Sequence, residues 1–252
     1  MKVRLIDYTG INAAEPADYA ARLLIYAKNT RLTQGEETQA QIAAMGAAQI
    51  SEELKAIATT IRSSWEFVDY TFEIRDVTRA FTHQLVRTRT ASYAQQAQRV
   101  VDMSDFEARK PATIANNPAA SEIWDQLMVS ISAAYSYFHD EAGIPAQDCR
   151  GVLPTNVYTN IIDKMNLRTF ADLCGKRDNL RAQDEYHEVV VAMKQEVLRV
   201  HPWTEIFLSP ERTRTPHLDE ILREYLGTAS PVDKPRLNAA LKELDALKGI
   251  WG

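Results

Sequence analysis

The feature that most constrains this chain is a polar run at residues 82–99, which holds three arginines and four glutamines but no acidic residue. A helix predicted to end near Arg89 presents Gln84 and Arg87, three positions apart, on one face. This composition suits a site for a phosphate and a planar, amide-bearing base better than it suits a surface helix. A solvated polar helix is the alternative interpretation of the same residues.

The residue types in the polar run match the two parts of a nucleotide. A guanidinium presents a planar fork of donors to phosphate oxygens, while a glutamine amide both donates and accepts hydrogen bonds, as a uracil edge requires. After the helix we expect an irregular loop whose backbone N–H groups also face an anion. The polar side chains of this loop belong to Gln95, Gln96, Gln98 and Arg99.

Composition argues against several other classes of protein. The 252-residue chain has a formal net charge of −5, whereas a general nucleic-acid binder needs an extended basic surface. No apolar run approaches the roughly 18 residues of a membrane span, and the first residues lack the apolar core of a signal peptide, so we expect a cytoplasmic protein. Cys149 and Cys174 lie far apart without metal-ligand spacing, which predicts small buried side chains and no metal site.

Periodicity predicts mixed α and β structure. Strands are expected at 2–8, 67–74 and 155–162. Helices are expected at about 16–27, 36–62, 78–89, 117–143, 167–174 and 180–200. An apolar stripe on the helix after Pro118 is predicted to belong to the core; its residues are Ile123, Leu127, Ile131, Ala134 and Phe138.

The chain is expected to consist of one domain with an appendage. Residues 1–208 form the predicted domain, and residues 209–252 form a looser C-terminal extension, because prolines and mixed charge replace the clear periodicity there. Two short amphipathic helices are expected in the extension, at about 218–226 and 236–247. This extension could cover a neighbouring subunit.

Several motifs in the same order resemble the flavin-dependent thymidylate synthases. Residues 87–99 are similar to the family signature, which reads Arg-His-Arg, then seven residues, then Ser. Further similar segments lie at 65–72, 143–154, 165–168 and 176–183. The resemblance covers most of residues 1–208. It implies an α+β fold, with a central mixed or antiparallel sheet and flanking helices, and a homotetramer whose subunits share active sites.

The resemblance also implies site residues. The positions that bind the uridylate, dUMP or UMP, are Gln84, Arg87, Gln95, Gln96, Ala97, Gln98, Arg99, Arg150 and Arg177. Arg177 has the catalytic role, because a fixed guanidinium beside the uracil ring stabilises the negative charge that makes carbon 5 nucleophilic. The positions that face FAD are Ser63, Arg87, Thr88, Arg89, Gln95, Asn166, Arg168 and Asp172.

The implied reaction is methylation of carbon 5 of the uridylate. Methylenetetrahydrofolate supplies the carbon and NADPH reduces the FAD, so the protein needs no cysteine nucleophile. The alternative with Cys149 or Cys174 as nucleophile is disfavoured, because neither residue has the electropositive, partly exposed setting that a reactive thiol needs.

The chain departs from the family pattern inside the implied site. Thr88 replaces the central histidine and Ala97 replaces the signature serine, while Phe67, Ala94 and Val100 also replace larger or more polar residues. These changes leave open methylation of dUMP or UMP, hydroxymethylation of dUMP, and non-catalytic binding of flavin or nucleotide. Because the arginines of the site are all present, catalysis is favoured over a non-catalytic role.

Overall fold

The fold is built on an antiparallel sheet, seen in a computed structural model that describes residues 1–29, 35–60, 62–177, 184–209, 233–235 and 237–239. The four strands have the spatial order β1-β2-β4-β3. They are β1 (Lys2–Tyr8), β2 (Asp69–Thr78), β3 (Ser92–Gln95) and β4 (Tyr158–Asn166). This sheet and its flanking helices confirm the predicted α+β class.

Helices make up most of the remaining described structure. The longer ones are α1 (Pro16–Asn29), α2 (Glu36–Ala43), α3 (Ala47–Ala58), α4 (Arg79–Leu85), α6 (Pro118–Ser136), α8 (Leu167–Arg177) and α9 (Asp184–Val200). The short ones are α5 (Ala112–Ala115), α7 (Ala146–Cys149) and α10 (Glu205–Leu208). Single-turn segments are the 3₁₀ helices Arg62–Phe67, Arg150–Val152 and Pro202–Thr204 and the π-helical turn Tyr137–Glu141.

The core lies between one face of the sheet and the helices that cover it. Alternation along β2 buries Tyr70, Phe72 and Ile74 completely. Phe170 of α8 packs on this face, with ring centroids 6.1 Å from Tyr70 and 5.5 Å from Phe72. Each such buried ring contributes roughly 1.5–3 kcal/mol by leaving water. Helix α8 is therefore anchored on the sheet through Phe170.

The region predicted as one helix at 36–62 is broken in two. Helix α2 ends at Ala43, and α3 begins after Gly46, whose backbone N–H donates to Gln49 Oε1 at 3.0 Å. Gly46 has extended backbone angles, because a helix N-cap residue leaves the helical region. The single long helix was therefore a wrong prediction, since the capping glycine lies inside a continuous apolar pattern.

Strand boundaries also differ from the prediction. Strand β2 continues to Thr78 through a bulge, where Asp76 has φ 56° and its N–H donates to Asn160 Oδ1 at 3.1 Å. Strand β4 runs to Asn166 rather than ending near residue 162. Strand β3 was predicted as part of an irregular loop, but it pairs with β4.

The apolar stripe of α6 does not join the core of the single chain. Ile123 is 66% exposed and Leu127 is 51% exposed, whereas Tyr135 is the buried residue of this helix. The prediction that this stripe packs into the core was therefore wrong for the chain that carries it. Its exposure leaves an apolar surface on α6.

Other predictions have mixed outcomes. Cys149 and Cys174 are both buried, as expected. The predicted extension at 209–252 lies almost wholly outside the described residues, as does the predicted start of the last long helix at 180–183. Within the described part of the chain, no helix is both long enough and apolar enough to cross a membrane.

Candidate functional site

The polar run starts on α4 and leaves it earlier than predicted. Thr78 Oγ1 caps this helix by accepting from the Phe81 N–H at 3.0 Å, and the helix ends at Leu85 instead of near Arg89. A turn at residues 86–91 follows. The Tyr93 hydroxyl donates to the carbonyl oxygens of Leu85 at 2.8 Å and Thr88 at 3.0 Å, which fixes the 86–91 turn.

The 86–91 turn carries the predicted arginines on its outer side. Arg87 and Arg89 are exposed, while Thr88 and Gln84 are half-buried. Because Arg87 no longer lies on the same helix as Gln84, the shared helical face expected for this pair was wrong. Gln84 instead lies at the end of α4, and Arg87 lies on the turn that follows.

Strand β3 brings the second half of the polar run back against α4. Gln95 Nε2 donates to Thr82 Oγ1 at 2.9 Å, and Asn160 Nδ2 donates to Gln96 Oε1 at 3.2 Å. The Gln96 N–H donates to the Asn160 carbonyl oxygen at 2.9 Å. The side-chain amides of Gln95 and Gln96 are therefore held in place by hydrogen bonds within the chain.

Three of the residues predicted to bind the nucleotide follow β3, and one of them is buried while two are exposed. Gln98 is buried, and its Nε2 has no hydrogen-bond partner within the residues that the structure describes. Ala97 and Arg99 are exposed. An unpaired buried donor costs about 1–3 kcal/mol, so the Gln98 amide suits an acceptor atom on a ligand.

The start of α8 gathers the predicted flavin residues. Asn166 Oδ1 accepts from the Thr169 N–H at 2.9 Å and caps α8. Thr169 Oγ1 is hydrogen-bonded to Thr90 Oγ1 at 2.9 Å, which ties the 86–91 turn to this end of α8.

Two ion pairs join α8 to the 3₁₀ helix Arg62–Phe67, which carries the exposed Ser63. Arg168 Nη1 lies 2.6 Å from Glu66 Oε1, and Arg62 Nη1 lies 2.8 Å from Asp172 Oδ1. All four side chains are between 38% and 47% exposed. Exposed pairs contribute about 0–1 kcal/mol, so these side chains can exchange partners for a ligand at little cost.

The end of α8 carries Arg177. Its guanidinium carbon lies 4.6 Å from the ring centroid of Tyr186 on α9. Arg177 is half-buried, so the guanidinium is supported on one side and remains accessible on another. The turn at 86–91 approaches this end as well, because Thr88 lies close enough to Tyr186 to lower the pKa of its hydroxyl.

Two further predicted residues, Arg99 and Arg150, are exposed. Arg150 lies near the start of α4: burial and, secondarily, the Arg150 charge lower the pKa of Arg79.

An acid in the middle of the sheet was not predicted from the sequence. Asp163 is fully buried, and neither carboxylate oxygen has a hydrogen-bond partner among the described residues. Burial raises the pKa of Asp163 to about 8. It lies directly opposite Tyr93 in the β3–β4 ladder. Asp163 lies on the same face of β4 as the buried Ile161 and Met165, and this alternation could have predicted its burial. The pattern was not recognised because the strand was predicted to end near residue 162.

The sequence analysis also missed the residues at the start of α9. Glu185 accepts hydrogen bonds from the Thr78 N–H at 2.9 Å and the Thr78 hydroxyl at 2.5 Å. Tyr186, the next residue, is 1% exposed. Thr78, the partner of Glu185, and Phe81, which packs against Tyr186, are both more than a hundred positions away, so no local pattern could identify these contacts.

The donor set at the start of α8 and on the 86–91 turn fits a flavin dinucleotide. Guanidinium groups at Arg87, Arg89 and Arg168 match phosphate oxygens, while Ser63 and Asn166 add a hydroxyl and an amide. The exposed ion pairs around them can open without a large loss of stability. These residues therefore have the chemistry that FAD requires.

Comparisons with known proteins show the family to which the chain belongs. The model of the family described as "Thymidylate synthase complementing protein" matches residues 4–203. A protein of Sulfolobus acidocaldarius named flavin-dependent thymidylate synthase is 37% identical over 158 residues, which cover 58% of this chain and 59% of that protein. A Nitratidesulfovibrio vulgaris protein of the same name is 38% identical over 143 residues, covering 53% and 58%.

A third relative extends the matched region slightly. The flavin-dependent thymidylate synthase of Sulfurisphaera tokodaii is 34% identical over 166 residues, which cover 62% of this chain and 63% of that protein. The chain thus spans less than two thirds of the length of the curated relatives it matches.

Proposed function

Because the chain belongs to the thymidylate synthase complementing protein family, we propose that it methylates carbon 5 of a uridine monophosphate in a flavin-dependent reaction. The observation that supports this most is the position of the 86–91 turn, which is hydrogen-bonded to the start of α8 and lies near Tyr186, the α9 residue whose ring packs against Arg177. At one end of α8 lie the proposed flavin residues, and at the other lies Arg177. An 11-residue helix is about 16 Å long, so one site can hold both a flavin and a nucleotide.

In this proposal the polar run binds the nucleotide, either dUMP or UMP. Gln84 and Gln98 offer amides to the uracil edge, and Arg87, Arg99 and Arg150 offer guanidinium groups to the phosphate. The backbone of residues 95–99 adds further donors. Arg177 stabilises the negative charge that spreads over the uracil ring when carbon 5 becomes nucleophilic.

FAD is the proposed cofactor, held by the residues at the start of α8 together with Ser63, Thr88, Gln95 and the exposed arginines of the 86–91 turn. When bound and reduced by NADPH, the flavin supplies the hydride that completes the methyl group. Methylenetetrahydrofolate is the proposed one-carbon donor. The chain's own residues bind these molecules, orient them and hold the charge on the uracil ring.

The first experiment follows the flavin itself. We expect the purified protein to be yellow and, after anaerobic reduction with NADPH, to be reoxidised only when both a uridylate and methylenetetrahydrofolate are added. Running dUMP and UMP separately identifies the accepted sugar. A yellow protein that no combination reoxidises would contradict the proposal and favour a non-catalytic flavoprotein.

We propose that four chains associate and that neighbouring chains supply Arg99 and Arg150 to one another's sites. The apolar surface on α6 supports this, because exposed apolar patches mark contacts between proteins. Leu127→Asp should reduce the mass measured by light scattering, since it places a charge in this surface. Gln126→Asp, on the exposed side of the same helix, is the matched control. A wild-type mass of one chain would contradict the assembly.

A further inference from the structure

We propose that Tyr186 is a positioning residue that holds the guanidinium of Arg177, an inference that rests on the proposed function of Arg177. The guanidinium carbon lies 4.6 Å from the Tyr186 ring centroid. An arginine side chain loses considerable rotamer entropy when it is ordered, so a guanidinium that must meet a uracil ring in one geometry benefits from a fixed partner.

An aromatic ring is a suitable partner for a guanidinium with an electrostatic task. A carboxylate would hold Arg177 more strongly but would also cancel the positive charge that the uracil ring needs. The face of a tyrosine ring attracts the guanidinium through its quadrupole and leaves the net charge in place. Tyr186 therefore fixes the direction of Arg177 without removing its field.

The Tyr186 ring is itself rigidly held. It is 1% exposed, and the ring of Phe81 on α4 meets it edge to face, with centroids 5.0 Å apart and planes at 89°. The preceding residue, Glu185, accepts two hydrogen bonds from Thr78, the N-cap of α4. The support for Arg177 is therefore part of the junction between α4 and α9.

Helix α9 also contacts the backbone of Arg177. His187 Nδ1 lies 3.3 Å from the Arg177 carbonyl oxygen, close enough to donate a hydrogen bond when this nitrogen carries the proton. Two consecutive residues of α9 thus hold the backbone and the side chain of Arg177. This is a stronger restraint than either contact alone.

The Tyr186 hydroxyl links this support to the 86–91 turn. Burial raises the pKa of Tyr186, while the charge of Arg177 and the nearby Thr88 side chain act in the opposite direction. The Thr88 carbonyl oxygen in turn accepts from the Tyr93 hydroxyl. Tyr186 is therefore near both Arg177 and the turn that carries Arg87.

The test measures activation of carbon 5 directly. The substrate is dUMP or UMP labelled with tritium at carbon 5, and the measured quantity is the rate at which the reduced holoenzyme releases the tritium. Tyr186→Leu should lower kcat by about tenfold, the effect expected from losing a partly desolvated cation–π contact. The KM for the nucleotide should change by less than about threefold. Tyr186→Phe keeps the ring face and should restore most of the rate.

A second measurement keeps the volume of the ring constant. Incorporating pentafluorophenylalanine at position 186 removes the negative ring face, so its kcat should fall about tenfold below that of Tyr186→Phe. Tyr70→Phe, a buried tyrosine that is hydrogen-bonded to His201 at 3.0 Å, controls for loss of stability and should leave kcat unchanged. Equal rates for the two rings at position 186 would overturn the inference.

Failure of the inference and failure of the proposed function give different results. If the wild-type protein releases no tritium from either nucleotide, the proposed function is wrong. If the wild type releases tritium and the Tyr186→Leu variant does so at the same rate, only the positioning role of Tyr186 is wrong.

Discussion

Arg177→Ala should abolish methylation of the uridylate while leaving the purified protein yellow. The guanidinium at the end of α8 is the group proposed to hold negative charge on the uracil ring, and the proposed flavin residues lie at the other end of the helix. Removing one preorganised electrostatic group of this kind typically costs on the order of 10²–10³ in rate. The measurement is product formation at saturating nucleotide, with flavin content from the absorbance spectrum.

One further variant separates charge from geometry at position 177, and a second variant is a control at another arginine. Arg177→Lys keeps the positive charge but loses the planar fork, so it should retain only a minor fraction of the activity. Arg75→Ala removes a guanidinium that is 56% exposed on β2 and should leave turnover unchanged. Full turnover by Arg177→Ala would remove this residue from the mechanism.

Asp163→Asn should stabilise the protein, and the gain should grow as the pH rises from about 4 to about 8. Burial raises the pKa of Asp163 to about 8 from an ordinary value of 3.8. Between these two values the folded chain holds a proton that the unfolded chain releases, so the stability of the wild type falls with rising pH in this window. Below both values the carboxyl is neutral in both states and contributes no penalty.

The expected size of this effect is large for a single substitution. Each pKa unit corresponds to 1.36 kcal/mol, so a shift of this size implies a penalty on the order of 5 kcal/mol by pH 8, which an asparagine does not incur. Urea unfolding at pH 5, 7 and 8 measures the difference. Asp7→Asn, at an exposed position on β1, is the matched control. A constant difference between Asp163→Asn and the wild type across this range would contradict the pKa assignment.

The sequence predicted the elements better than it predicted their ends. Periodicity identified β2, β4, α6, α8 and α9, because each has a long apolar pattern. It failed at Gly46, where a cap interrupts such a pattern, and at Leu85, where the helix ends within polar residues that give no periodic signal. It also failed on α6, since an apolar stripe does not reveal whether it faces the same chain or another.

The candidate site was predictable to the extent that it depends on contiguous motifs. The polar run, Asn166, Arg168 and Arg177 were identified in this way. The groups that support them were not, because Tyr186 contacts Arg177 and Thr88 through the packing of α9 against α4. Asp163 was missed for a different reason, since its environment becomes apparent only when β4 is extended to Asn166.

The most direct test of the central claim is mass spectrometry of the nucleotide after incubation of the protein with FAD, NADPH, methylenetetrahydrofolate and either dUMP or UMP. The account predicts that one of these nucleotides gains a single methyl group, and that the fragment spectrum places it on the base. A hydroxymethyl group in its place would keep the site but change the reaction. Unmodified dUMP and UMP, recovered from a protein with bound flavin, would contradict the account.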